Sequence, residues 1–275
     1  MEKEKVEYLK GIAKQIRLNI LELVMVAQPG HLGGSMSCAD IMAVLYFHKM
    51  KFNPKNLKDK DRDIFVMSKG HSVLAQYAAF MLHGIIGPDE VKNIKKIGAV
   101  LQGHPDTTKT PGIEANTGSL GQGLSIALGI ALAKRLDRIN NKVYCLIGDG
   151  ETDEGQIWEA LNAASFHKAD NLAIIVDANK LKASGRLIEE FDTGNLSAKA
   201  TAFGAKVIDI DGHDVEQIAY ALDYADTVKD RPVMIMAHTV KGKGVSFAEN
   251  KQPFHIATLS DGQYRTAIED IKRGI

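Results

Sequence analysis

Gly148-Asp149-Gly150 is followed, after residues 151–178, by Asn179. A carboxylate and an amide supply hard oxygen donors suited to Mg2+. The glycines let backbone N–H groups approach an anion. The triplet lies between two apolar runs, Val143-Tyr144-Cys145-Leu146-Ile147 and Leu172-Ala173-Ile174-Ile175-Val176, each short enough to be a buried parallel strand. Between them, the spacing predicts a helix from Glu154 to Lys168, with Ile157, Trp158, Leu161, Ala164 and Ser165 on one face. A strand, Gly-rich turn, helix and strand bring Asp149 and Asn179 to one carboxyl edge of a sheet, beside a helix N-terminus. A magnesium-bound diphosphate needs that combination. Turns of this composition are common, so the flanking strands and other segments carry the reading.

Four of the nine histidines sit in Gly- or Pro-containing loops. His71 follows the apolar run Ile64-Phe65-Val66-Met67, and His104 precedes Pro105. His31 lies in Gly30-His31-Leu32-Gly33-Gly34-Ser35, and His255 follows Thr239-Val240-Lys241-Gly242-Lys243-Gly244. Imidazole can donate to sugar hydroxyls and phosphates, and it titrates near neutrality. His48, His83 and His167 fall in or at the ends of predicted helices and read as structural; His238 follows a strand and stays open. His213, in Asp211-Gly212-His213-Asp214, is accounted for by turn formation.

The elements that must place these residues alternate. Residues 5–27 form an amphipathic helix ended by Pro29-Gly30. A second helix is expected from near Ser37, carrying Ile41, Val44 and Leu45. The strand over 64–67 is followed by a helix over 72–83, a loop over 112–123, and a helix over 124–136 whose Gly129 is expected to permit close packing. Residues 180–195 read as a long irregular segment, long enough to be a binding surface that orders on binding. A strand over 206–210, a helix over 215–226 and a strand over 233–237 follow. Strands alternating with helices predict an α/β fold, a doubly wound, mostly parallel sheet with helices on both faces. Ligands bind such sheets outside the carboxyl ends of the strands. Neither a repeat nor a linker divides the chain, so residues 1–275 are read as one domain.

Composition narrows the classes. The chain carries 34 basic and 34 acidic residues, which gives no electrostatic reason to expect nucleic acid or anionic membrane as a partner. The longest apolar run, Leu124 to Ala133, is interrupted by Ser125 and Gly129 and is too short to span a bilayer. Cys38 and Cys145 are far apart and make neither a metal-ligand nor a redox pair. The charged start, Met1-Glu2-Lys3-Glu4-Lys5, lacks the apolar core of a secretion signal, so a reducing, cytoplasmic setting is expected. Balanced surface charge suggests that solubility depends on a partner covering apolar surface.

The Gly148-Asp149-Gly150…Asn179 pattern resembles the thiamine diphosphate motif, and further segments resemble those of the transketolase family. Gly30-His31-Leu32-Gly33-Gly34-Ser35 resembles the family's segment at the substrate entrance. Ser68-Lys69-Gly70-His71 is similar to its strand-end histidine segment, and Gly103-His104-Pro105 to its substrate- and cofactor-facing histidine. Thr117-Gly118-Ser119-Leu120-Gly121-Gln122-Gly123 is similar to the loop that meets the cofactor's two rings. These segments keep the family's order from about residue 10 to 257.

The resemblance implies thiamine diphosphate and Mg2+ as cofactors, with Ca2+ or Mn2+ able to replace the latter. It implies Asp149, the Asn179 side chain and the Leu181 carbonyl as metal ligands. Cofactor contacts would come from His71, Gly118, Ser119, Leu120, Gly148, Asp149, Gly150, Glu151, Asn179 and His255. Gly150 would offer its N–H to the diphosphate. His31, His71 and His104 would line the donor and acceptor channel, with His255 nearing the diphosphate. Glu154 would sit at a contact between subunits near the aminopyrimidine. Around His255 the pattern departs from the family, with Phe254 and Ile256 in place of a tryptophan and a glycine.

The family also needs a second, pyrimidine-binding module, which nothing in these 275 residues encodes. The resemblance therefore implies the N-terminal subunit of a split transketolase of the pentose phosphate pathway and carbohydrate metabolism. Such a chain would act on phosphosugars only with a C-terminal partner, in an α2β2 heterotetramer. Two enzyme alternatives keep the cofactor: a transketolase specialised for a branched or sulfonated sugar, and a 2-oxoacid dehydrogenase α-type chain. A nucleotide-binding enzyme is disfavoured, because Gly121-Gln122-Gly123 lacks the third glycine of a dinucleotide loop and no phosphate-loop Gly-Lys-Ser/Thr occurs. A non-catalytic docking subunit would have no chemical need for Asp149, Asn179, His31, His71 and His104 together.

Overall fold

Five segments pair in parallel in the computed structural model, which describes residues 1–186 and 194–274. They are β1 (Ile64–Met67), β2 (Val143–Gly148), β3 (Leu172–Ala178), β4 (Lys206–Asp211) and β5 (Val233–His238), in the order β1-β2-β3-β5-β4. Gly148 lies opposite Asp177, and Ala178 opposite His238, so the central strands finish together at one carboxyl edge.

The first helices in chain order are α1 (Lys3–Val26), α2 (Leu32–Ser37), α3 (Ala39–Val44), α4 (Val73–Leu82) and α5 (Pro88–Lys92). Next come α6 (Gln122–Leu136), α7 (Gly155–Phe166) and α8 (Leu196–Ala202), then α9 (Val215–Thr227) and α10 (Asp261–Arg273). Side chains alternate across a strand, and this sheet uses both faces. Phe65, Met67, Tyr144, Leu146, Ala173, Ile175 and Ile235 pack with α1, α3, α4 and α9. Ile64, Val66, Cys145, Ile147, Ile174, Val176 and Met236 pack with α6 and α7. The expected doubly wound parallel sheet is the observed one.

Several boundaries move. The helix expected from near Ser37 is α3, with Leu45 just beyond its end, and an additional helix, α2, precedes it, so Gly33-Gly34-Ser35 is helical. Its glycines allow it to be wedged tightly: a Cβ on Gly34 would stand 2.7 Å from Ser72 Oγ, and one on Gly33 would stand 2.9 Å from the Phe254 carbonyl. The helix expected from Glu154 starts at Gly155, after a 3-10 turn over Gly150–Asp153. Gly129 faces away from its own chain, with no atom within 4 Å of where its Cβ would be. Close packing falls instead to Gly123, whose Cβ would lie 2.6 Å from Ser68 Cα. Helices α2, α5, α8 and α10 were not anticipated, although Ser260 and Gln263 form a capping box at the start of α10. Part of the irregular segment expected over 180–195 lies outside the described residues; Leu181 and Arg186 bridge at its start, and Asn195 caps α8. Large apolar side chains remain exposed on α6 and α7, at Ile126, Leu136 and Phe166. No helix among the described residues is long and apolar enough to cross a membrane.

Candidate active site

The carboxyl edge of the sheet opens into a cleft of about 420 Å³, lined by Gly148, Asp149, Gly150, Asn179 and Leu181 from the ends of β2 and β3. Asp149 is nearly fully buried and begins the 3-10 turn. Its Oδ1 accepts the Gly150 N–H at 2.8 Å, and its Oδ2 accepts the Lys180 N–H. Burial, reinforced by the charge of Asp177, pushes the Asp149 carboxyl up to about 6. Asn179 Nδ2 donates to Asp177 Oδ2 at 3.0 Å, while its Oδ1 accepts the Leu181 N–H at 3.1 Å. The amide is therefore fixed by both of its ends. The Leu181 carbonyl accepts from Lys241 Nζ at 2.7 Å.

Beneath these groups lies a buried ion pair that the sequence reading did not single out. Lys69, leaving β1, donates to Asp177 in β3 and to the Gly34 carbonyl at 2.8 Å. Asp177 also accepts from Ser37 Oγ at 2.6 Å, from Thr239 Oγ1 and from Asn179. Burial works against both charges, but each partner more than offsets it: Lys69 is held above its ordinary value and Asp177 below it. Asp177 thus orients the Asn179 amide from behind. Lys241 was also missed. It is 3 % exposed and lines the cleft, and burial, with the charge of Lys69 adding, lowers its ammonium to about 8. A charged residue where a buried strand ends, or between a strand and two glycines, was the available signal for all three.

Glu151 lines the cleft, but both its oxygens are taken up by protein donors. Oε1 accepts from Ser68 Oγ and the Gly121 N–H, and Oε2 from the Gly148 N–H. These bonds tie β1, β2 and the start of α6 together. Gly118 and Leu120 line the cleft, whereas Ser119 is exposed and outside the lining. Glu154 is exposed at the rim.

Four loop histidines converge. His31 stands 5.5 Å from His71, 5.8 Å from His104 and 5.6 Å from His255 between ring centroids, and His71 stands 5.1 Å from His255. His31, His71 and His255 line the cleft, and His104 flanks it beside Gly118. A Cβ on Gly118 would come within 2.9 Å of the His104 ring, so this approach requires glycine. Despite its unusual neighbours Phe254 and Ile256, His255 joins the group. Burial lowers His31 to about 4 and His255 to about 3, with nearby lysines adding to the effect. His71 and His104 shift the same way.

The donor set suits a hard cation carried by an anionic ligand. One carboxylate, one amide and one backbone carbonyl belong to residues lining the same cleft, and among the described residues no group of three His, Cys, Asp or Glu side chains is placed to hold a metal. Such a set leaves a divalent cation short of oxygens, which a diphosphate would complete. His255 Nδ1 and Asp153 Oδ1 are buried without a hydrogen-bond partner, and both residues line the same cleft. Unpaired buried polar atoms carry a cost that a polar ligand relieves. The residues present fit a metal-bound diphosphate.

A parallel doubly wound sheet with this edge defines a thiamine diphosphate-binding α/β fold. The chain belongs to the transketolase family: residues 9–271 match "Transketolase, thiamine diphosphate binding domain". It is 38% identical to an apulose-4-phosphate transketolase subunit of Phocaeicola vulgatus, covering 98% of this chain and 96% of that one. It is 40% identical to 6-deoxy-6-sulfo-D-fructose transketolase subunit SqwG of a Clostridium species, covering 96% of each. Human transketolase is 36% identical over 98% of this chain, but this chain spans only 43% of it. The crystal structure of transketolase from Campylobacter jejuni superposes with a TM-score of 0.90 at 33% identity, over 97% of this chain and 43% of that one. The chain thus corresponds to the N-terminal, thiamine diphosphate-binding domain of transketolase.

Proposed function

We propose that this chain is the cofactor-binding subunit of a two-chain transketolase, moving a two-carbon ketol unit from a ketose phosphate to an aldose phosphate. The observation that carries the reading is that Asp149, Asn179 and Leu181 line one cleft with the buried Lys241 and a cluster of histidines. Thiamine diphosphate, when bound, supplies carbanion chemistry that side chains cannot. Asp149, Asn179 and the Leu181 carbonyl would hold Mg2+. Lys241 would release that carbonyl and turn to the diphosphate beside the Gly150 N–H. Gly118 and Leu120 would face the cofactor's rings, with Ser119 holding the loop from outside.

His31, His71, His104 and His255 would bind the sugar and pass protons. Neutral imidazoles suit this, because each can donate at one nitrogen and accept at the other. Glu154, at the rim, would meet a neighbouring subunit.

Partner dependence is supported by the match in length to two relatives that are themselves named as transketolase subunits, and by apolar side chains left exposed on α6 and α7. The pyrimidine-binding module is assigned to that partner in an α2β2 assembly, with residues 1–275 as one domain. Two buried free cysteines fit a reducing, cytoplasmic setting. A second reading, in which the sugar is specialised, is favoured by the names of the apulose-4-phosphate and 6-deoxy-6-sulfo-D-fructose relatives.

Asp149→Ala is expected to weaken thiamine diphosphate binding in Mg2+ at least about a hundredfold by calorimetry, beyond the usual cost of losing an outer-shell partner. Wild-type affinity in that variant would overturn the metal assignment. Assays with the C-terminal subunit should compare xylulose 5-phosphate plus ribose 5-phosphate against the two specialised sugars. Substantial ketol transfer by the chain alone would refute partner dependence.

A further inference from the structure

The Asp211-Gly212-His213 turn explains the His213 backbone, whose N–H donates to Asp211 Oδ1 at 2.8 Å. It does not explain the ring. His213 Nε2 lies 2.8 Å from the Val240 N–H, and Nδ1 lies 2.7 Å from Asp40 Oδ2. A backbone N–H can only donate, so Nε2 carries the lone pair and Nδ1 the proton. Asp40 in turn forms a two-pronged pair with Arg17, at 3.1 and 2.5 Å, and these two side chains are only 9–10% exposed. Arg17 Nε then donates to the Lys243 carbonyl at 3.2 Å.

The chain of side chains therefore closes on itself. Its two ends grip the backbone at residues 240 and 243, and Lys241 lies between them. Glycines make the grip possible: a Cβ on Gly212 would stand 2.4 Å from Thr239 Cγ2, and one on Gly244 would stand 3.1 Å from Arg17 Cδ. Gly242 adds a third tie, its N–H donating to the Gly33 carbonyl at 3.0 Å. Lys241 needs such support, because its ammonium is buried and must end at the strand tips rather than in water.

We propose that His213, with Asp40 and Arg17 behind it, is a positioning residue that fixes the 240–243 turn and so places the Lys241 ammonium at the diphosphate end of the cleft. The assignment rests on the thiamine diphosphate reading of that cleft. His213 touches neither substrate nor cofactor and acts only through Val240.

The test uses the full chain and thiamine diphosphate with excess Mg2+, titrated by calorimetry. His213→Gln keeps an acceptor within reach of Val240, and His213→Asn ends short of it. His213→Asn should weaken the cofactor about tenfold, the scale of one lost hydrogen bond, and His213→Gln should recover most of that. In a Lys241→Met background, neither change should cost anything more. Wild-type affinity in His213→Asn, or losses that simply add to that of Lys241→Met, would overturn the proposal. If His213→Asn folds poorly, His213→Phe keeps the ring's bulk without an acceptor and is judged the same way.

Hydrogen exchange across residues 239–245 separates the two readings, because it needs no cofactor. Faster exchange in His213→Asn supports positioning, and unchanged exchange sinks it. A wild-type chain that binds no thiamine diphosphate sinks the reading of the cleft instead.

Discussion

His31 and His255 stand 5.6 Å apart and half-buried, and desolvation, with neighbouring histidine and lysine charges adding, holds both far below the ordinary imidazole range. The sign follows directly: with values of about 4 and 3, both rings are neutral at every pH above about 5. NMR titration of their ring protons should be flat between about pH 5 and 8, the range in which an unperturbed histidine changes charge; a midpoint near 6.5 for either would contradict this account. Lys69 and Asp177 offer a stability test at the same scale. Lys69→Met leaves the Asp177 carboxylate buried and unpaired, and should cost about 3–5 kcal/mol in urea unfolding. Adding Asp177→Leu should recover much of that loss, because the penalty belongs to the stranded charge. Asp149 and Asn179 were legible because two apolar strands frame them. Lys69, Asp177, Lys241 and the ring of His213 were not, since a lysine beside glycines or a histidine in a turn normally meets solvent. Only tertiary closure turned these groups inward.

The elements show the same division. Four strands were readable as short apolar runs, the edge strand β4 as an alternation of polar and apolar residues, and α1 as a long amphipathic repeat. The phase of α6 was not readable, because a nearly continuous apolar run has little polar contrast to set it: Gly123, Leu124, Ala127, Leu128 and Ala131 are its buried positions, and Gly129, the glycine expected to pack, lies on the opposite side. The two glycines should therefore respond in opposite ways. Gly123→Ala drives a methyl into Ser68, within 2.6 Å of its Cα, and should destabilise by about 1–3 kcal/mol. Gly129→Ala meets nothing within 4 Å and should stabilise the isolated chain by up to about 1 kcal/mol through helix propensity. Thermal melts of both variants decide the matter, and equal shifts would show that the packing has been misassigned. Helix α2 escaped notice because a Gly-Gly pair reads as loop, and nothing local reveals that Ser72 and Phe254 will crowd it.

Over the whole molecule, the alternation of strands and helices was enough to expect a doubly wound sheet, but not the strand order. No local pattern records that β5 inserts between β3 and β4. That insertion matters, because it brings the exit of β5, and with it Lys241, beside Asn179 at the end of β3. The exposed Leu136 and Phe166, 84% and 81% accessible, belong to this scale as well. On the two-chain proposal, the chain mixed with a C-terminal transketolase subunit should sediment as a heterotetramer and gain ketol transfer that neither component has alone. A mixture that gains activity with no change in sedimentation would count against the α2β2 arrangement.

Gly30 pairs with Ala257, Gln28 reaches the Leu259 carbonyl at 3.3 Å, and Lys14 reaches the Lys272 carbonyl at 2.6 Å. The segment bearing His31 is thus latched to residues more than two hundred positions further along the chain. During translation, which proceeds at about 5–20 residues per second, the nascent polypeptide must keep α1 waiting until its distant partner leaves the ribosome. The cleft wall that His31 supplies can take its final place only after that, well behind the synthesis of α1.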